Sequence, residues 1–196
     1  MGELIAISLG AIFINNFVLA RFLGLCSFVG VSKNLDSVLG MSLAVVFVMT
    51  IASMVTFVIS HYVLQPAGIQ FLQTISFILV IATLVQLIEI IMKKMFPALY
   101  NALGIYLPLI TVNCAVLGVA VINIQENYNF INSTINGFMA GISYMLALFL
   151  MATIRVKLDL ADVPPSFKGT PIAFITAGLM ALAFLAADKT MLEFFK

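Results

Sequence analysis

The chain has 196 residues, of which 63% are hydrophobic and only 9% charged, and its mean hydropathy is +1.21. A soluble domain carries about 25% charged residues, so this chain has too few to coat a water-facing surface, and a soluble enzyme is excluded as the default. A net charge of +1 leaves no electrostatic footprint for nucleic acid. Six spans of about 20 to 25 residues would use nearly the whole length, so any chemistry must sit within the membrane or come from a partner.

Six apolar runs follow in chain order: Leu4–Val31, Leu39–Leu64, Phe71–Met92, Leu99–Ile124, Phe130–Ile154 and Ile172–Ala187. Turn and charge signals separate them: Ser32 through Asp36, Gln65-Pro66-Ala67-Gly68, Lys93-Lys94 with Pro97, Gln125-Glu126-Asn127, and Arg155 through Gly169. The start, Met1-Gly2-Glu3-Leu4, lacks the cationic region of a signal peptide, so the first run is expected to remain as a span. Tyr62, Tyr100 and Tyr128 stand near run ends as candidate interfacial anchors. The fold expected is an all-α integral membrane protein of six transmembrane helices in a single membrane domain covering residues 1–196.

Lys33, Lys93, Lys94, Arg155, Lys157 and Lys168 fall on one side of such a six-span chain; Lys189 and Lys196 fall on the other, and Arg21 lies within the first run. The asymmetry predicts basic loops in the cytoplasm and both termini outside. Cys26-Ser27-Phe28-Val29-Gly30-Val31 matches Cys114-Ala115-Val116-Leu117-Gly118-Val119, while Gly40 with Gly137 and Phe77 with Phe174 match at a slightly larger offset. One insertion in the loop after the fourth run reconciles the offsets. The halves, about 4–92 and 99–187, would each hold three spans, an odd number, so the second must be inverted.

The first run is too long for one straight span and contains Asn15, Asn16, Arg21 and Gly24; the fourth contains Pro108, which cannot donate to the Gly104 carbonyl. Broken helices are therefore expected in spans 1 and 4, each associated with a cysteine. Two thiolates are half of the four-ligand shell of an iron–sulfur cluster, although Cys in a membrane bundle also serves as a small packing residue. Asn15, Asn16, Thr111 and Asn113 would satisfy freed backbone groups or line an ion path. Glu89 reads as an i,i+4 partner of Lys93 or as an ion ligand, and Arg21 as a snorkelling or charge-balancing group. His61 reads as a solvated residue, and Asp162-Val163-Pro164-Pro165 as a stiff turn or a docking point.

Asn15-Asn16-Phe17-Val18-Leu19, Phe22-Leu23-Gly24-Leu25-Cys26 and Gly30-Val31-Ser32-Lys33 closely resemble the RnfA/NqrE-type family of membrane subunits. So do the stretch from Leu103 to Gly118, which contains Asn113-Cys114, and Asp162-Val163-Pro164-Pro165. The resemblance runs from about Ile14 to Ala186, and Asn15 through Leu19 is closer to the Rnf than to the Nqr type. It implies a subunit of an ion-translocating ferredoxin:NAD oxidoreductase, a translocase, in the bacterial inner membrane. It further implies that Cys26 and Cys114 bind the iron of a [2Fe-2S] cluster shared with a homologous RnfE-type (or NqrD-type) subunit. Electron transfer would be coupled to Na+ or H+ transport. Flavins and NAD would belong to other subunits of the RnfB, RnfC, RnfD and RnfG types. An NqrE-type subunit of a sodium-pumping NADH:quinone reductase, a cofactor-free 3+3 inverted-repeat transporter and an assembly scaffold are the competing readings.

Overall fold

A computed structural model describes residues 16, 18–32, 35–64, 66, 70–95 and 107–194. Among them every regular element is helical: α1 (Leu25–Val31), α2 (Leu35–Ile59) with a π-helical extension Ser60–Leu64, a 3-10 turn Gln70–Leu72, α3 (Gln73–Met95), α4 (Leu107–Thr111), α5 (Cys114–Gln125), α6 (Phe130–Leu160), a 3-10 turn Pro165–Phe167, and α7 (Thr170–Phe194). Ser37–Leu64, Gln73–Ile91 and Phe130–Leu160 are long and apolar enough to cross a membrane; Leu109–Gln125 and Thr170–Ala186 are shorter apolar stretches. The first half of the first apolar run, and the Gly104 end of the fourth, lie outside the described residues.

The most extensive packing is between α2 and α6. On α2, Val38, Met41, Val45, Val48, Met49 and Ala52 recur at three- and four-residue spacing and are buried, whereas Leu39, Leu43 and Phe47 are exposed. In a membrane that outer face meets lipid or partner helices, so an apolar surface is no anomaly. Small residues on α6 let the two backbones approach. A Cβ on Gly141 would stand 2.8 Å from the Val46 Cα, and one on Gly137 would run into the Ser53 hydroxyl. Gly137 and Gly141 form the small-xxx-small pattern that lets membrane helices cross closely. Hydroxyls on these helices mostly bond within the helix, as Ser42 to the Val38 carbonyl (2.6 Å) and Thr56 to that of Ala52 (2.6 Å), which spares an apolar core from unpaired donors.

The bundle has two distinct ends. α6 carries Arg155 and Lys157 at its C-terminal end, and α3 carries Lys93 and Lys94 in its last turn. At the opposite end Phe57 meets Phe130 edge to face at 5.8 Å and stacks on His61 at 5.9 Å. His61 is exposed there, as is Tyr62, while Tyr128 is half-buried; Tyr100 lies outside the described residues. Asp162-Val163-Pro164-Pro165 forms an extended, largely exposed approach to the 3-10 turn, and Gly169 at φ +92° releases the chain into α7. A turn is present where the sequence signalled one.

Candidate functional site

Both cysteines occupy the first turn of a helix that follows an interruption. Span 1 reaches α1 through turns at residues 18–21 and 23–24. Asn16 organises them: its backbone carbonyl accepts from the Ala20 N–H at 2.8 Å, and its Oδ1 accepts from Val18 N–H (3.1 Å) and Leu19 N–H (3.3 Å). Gly24, at φ +85°, is the N-cap residue of α1. A side chain there would be strained by the left-handed backbone and crowded as well. A Cβ would lie 3.2 Å from each of Ala115, Asn113 and Tyr144.

Span 4 is interrupted at Val112–Asn113, between α4 and α5. Asn113 caps α5, its Oδ1 accepting from the Ala115 N–H at 3.0 Å. The two interruptions meet. The Gly24 N–H donates to the Cys114 Sγ at 2.9 Å. The Ser27 hydroxyl accepts from the Tyr144 phenol (2.8 Å) and from Asn113 Nδ2 (3.3 Å), and donates to the Gly24 carbonyl (3.0 Å). Ser27 and Tyr144 are fully buried, yet both thiols are free and exposed on the surface of the chain. Thus α1, the α4–α5 junction and α6 are tied together behind two sulfurs that face outward.

Arg155 holds the other end of α1. Its Nη1 donates to the Val29 carbonyl and to the Ser32 hydroxyl, each at 2.8 Å. A guanidinium satisfying carbonyls at a helix C-terminus is favourable both as a hydrogen bond and against the helix dipole. Beside Cys114 an apolar groove of about 280 Å³ runs between α3 (Ile78, Ile81, Ala82) and the span 4 interruption (Thr111, Asn113). Glu89 lies two turns further along α3, toward the basic end, and Asn15 lies outside the described residues.

The sequence pattern placed Cys26 and Cys114 in equivalent motifs, and the structure brings their helix starts together. It missed Ser27 and Tyr144, which lie 117 residues apart along the chain. The fit to an iron–sulfur centre rests on the donor set. A [2Fe-2S] cluster takes four cysteine ligands, and here two thiols are exposed with a backbone N–H already aimed at one of them. The sequence holds two cysteines in all, so for such a cluster the remaining cysteine ligands would have to come from another chain.

These features define a helical membrane protein with outward-facing thiols at two joined helix interruptions. The chain belongs to the Rnf-Nqr family, whose model, described as "Rnf-Nqr subunit, membrane protein", matches residues 4–191. It is 57% identical, over 93% of this chain and 95% of the relative, to the A-type subunit of the Na(+)-translocating ferredoxin:NAD(+) oxidoreductase complex of Acetobacterium woodii. The A-type subunits of two complexes named ion-translocating oxidoreductase are similarly related. That of Syntrophotalea carbinolica is 56% identical and that of Vibrio cholerae 55%, each over 94% of this chain and 96% of the relative.

Proposed function

We propose that this chain is the membrane subunit of an ion-translocating electron-transport complex of the ferredoxin:NAD oxidoreductase type. In it Cys26 and Cys114 hold a [2Fe-2S] cluster jointly with two cysteines of a homologous RnfE-type subunit, and electron transfer is coupled to Na+ or H+ transport. The observation that carries the reading is the pair of exposed thiols at two interruptions joined by the Gly24 N–H. The names of the relatives favour the Rnf type over the NqrE type.

When bound, the cluster supplies one-electron storage at the depth of the membrane. The chain's own residues hold and tune the site. The Gly24 N–H stabilises negative charge on the Cys114 sulfur, and the N-terminus of α5 adds its partial positive charge at the same atom. The Ser27–Asn113–Tyr144 network fixes both interruptions without drawing the thiols inward. Flavin, NAD and ferredoxin chemistry belongs to partner subunits of the RnfB, RnfC, RnfD and RnfG types.

The contact pattern supports two inverted halves. α3 packs on α2 and on α4 and α5; α7 packs on α6 and on α1. Exchanging spans 1, 2 and 3 for 4, 5 and 6 turns one set of neighbours into the other, while α2 and α6 meet at the centre. A bilayer core of about 30 Å accommodates six such spans, with the basic end in the cytoplasm of a bacterial inner membrane and both termini outside.

The test uses the complex purified with its sister subunit. Cys26→Ser or Cys114→Ser is expected to abolish the electron paramagnetic resonance signal of the membrane centre and to lower iron and acid-labile sulfide, with flavin content retained. A full-strength signal in the double variant overturns the reading.

A further inference from the structure

Away from the thiols, at the end of the bundle opposite Arg155, two cavities of about 220 and 350 Å³ share Ser60, Ile124 and Asn127 in their walls. Ser60 begins the π-helical extension of α2, an irregularity that frequently accompanies functional sites. The phenol of Tyr128, which lines the smaller cavity, has its pKa raised by burial and then by the Glu126 carboxylate, with the Arg21 guanidinium opposing; it is a neutral donor at physiological pH.

Asn123 also lines the smaller cavity and opens onto a polar cluster within the core. Its Oδ1 accepts from Asn136 Nδ2 at 2.6 Å, and its Nδ2 donates to the Ser133 carbonyl at 3.3 Å. Ser133 is 0% exposed and Ser53, seated against Gly137, is 1% exposed. Neither hydroxyl finds a hydrogen-bond partner among the described residues. Two such hydroxyls in one core are unusual unless something not yet counted satisfies them. Ser133 is the residue whose carbonyl Asn123 holds, and Ser53 sits against Gly137, the residue after Asn136 and one turn beyond Ser133 on α6. From Gly137 to Tyr144 α6 rises about 10 Å. The intervening Ala140 and Met49 are fully buried and apolar, so the cluster is separated from the thiol site.

We infer that Ser53, Asn123, Ser133 and Asn136 form a station for a monovalent metal cation of the Na+ class, reached through this vestibule. Amide, hydroxyl and carbonyl oxygens are hard neutral ligands that replace the water shell of such an ion. None of these side chains titrates in the physiological range, so the station has no group on which to carry a proton. It holds its ion weakly for want of a carboxylate, as a site on a transport path must. The inference rests on the proposed coupling of electron transfer to cation movement and adds the residues and the kind of ion.

The test is the double variant Ser53→Ala/Ser133→Ala in the intact complex, reconstituted in proteoliposomes. If the hydroxyls only pack, removing two unpaired ones leaves function unchanged and thermal stability equal or higher. If they bind the ion, the Na+ concentration giving half-maximal electron transfer and 22Na+ uptake is expected to rise about tenfold, with the paramagnetic signal of the membrane centre intact. A Na+ dependence equal to that of the unsubstituted complex, with that signal intact, overturns the station alone. An unsubstituted complex that transfers electrons without Na+ and moves only protons also overturns the station, leaving the redox role standing. An unsubstituted complex without the membrane signal removes the proposed function and the station together.

Discussion

At the scale of single residues, the side chains that shape the thiol site are those that touch two spans at once. Arg155 is the clearest case, because its single Nη1 donates to both the Val29 carbonyl and the Ser32 hydroxyl, each at 2.8 Å. Arg155→Leu removes the shorter of two donors to the Val29 carbonyl, which keeps the Ser32 hydroxyl at 3.4 Å, and takes the guanidinium donor from the buried Ser32 hydroxyl. It is expected to cost about 1–3 kcal/mol, read as a lower unfolding midpoint. Arg155→Lys keeps a cation with donors at the same helix end and is expected to recover most of the loss. Cys26 and Cys114 were legible in the sequence because their motifs repeat. Asn16 and Asn113 were legible as groups serving freed backbone, and their side chains do accept from nearby N–H groups. Ser27 and Tyr144 were not, since a serine and a tyrosine inside apolar runs carry no local signal, and their importance arises only where distant spans meet.

At the scale of elements, interruptions and close crossings matter more than helix length. Gly24 is required by its left-handed backbone and by three neighbours at 3.2 Å. Gly24→Ala is expected to destabilise by about 1–2 kcal/mol from the backbone alone, with a further loss from crowding. Gly141→Ala must push α6 away from the Val46 backbone, whereas at Gly178 a Cβ meets nothing within 4 Å. Thermal unfolding in detergent should therefore rank Gly141→Ala well below Gly178→Ala, and equal midpoints would contradict the close crossing. The apolar runs anticipated α2, α3 and α6, because sustained hydropathy is read directly from composition. The interruption in span 4 was expected from Pro108 and Gly104. Among the described residues it falls at Val112–Asn113, and Pro108 lies in the first turn of α4. The described interruption falls where Asn113 offers an alternative partner to the backbone, and the Gly104 end of the expected break lies outside the described residues.

At the scale of the whole molecule, the arrangement is set by which helices are shielded. α2 and α6 form the buried centre and α3 lies outside, much of its surface apolar and exposed. That pattern was only partly legible: repeat matches suggested paired halves, but sequence periodicity does not say which helices cross. Orientation is testable directly. Single cysteines introduced in the loops near Lys94 and Lys168 are expected to resist an impermeant reagent in intact cells and to react after permeabilisation. Labelling from outside would reverse the proposed topology.

The bond from the Gly24 N–H to the Cys114 sulfur joins positions 90 residues apart, and the Ser27 hydroxyl waits on Tyr144, further along still. During biosynthesis the first interruption therefore enters the bilayer long before its partners exist. Irregular backbone is poorly tolerated in lipid, so the nascent chain must keep that segment at the translocon, near the interface or under a chaperone until α6 arrives. The order of synthesis thus sets a time window in which the future thiol site is the least protected part of the molecule.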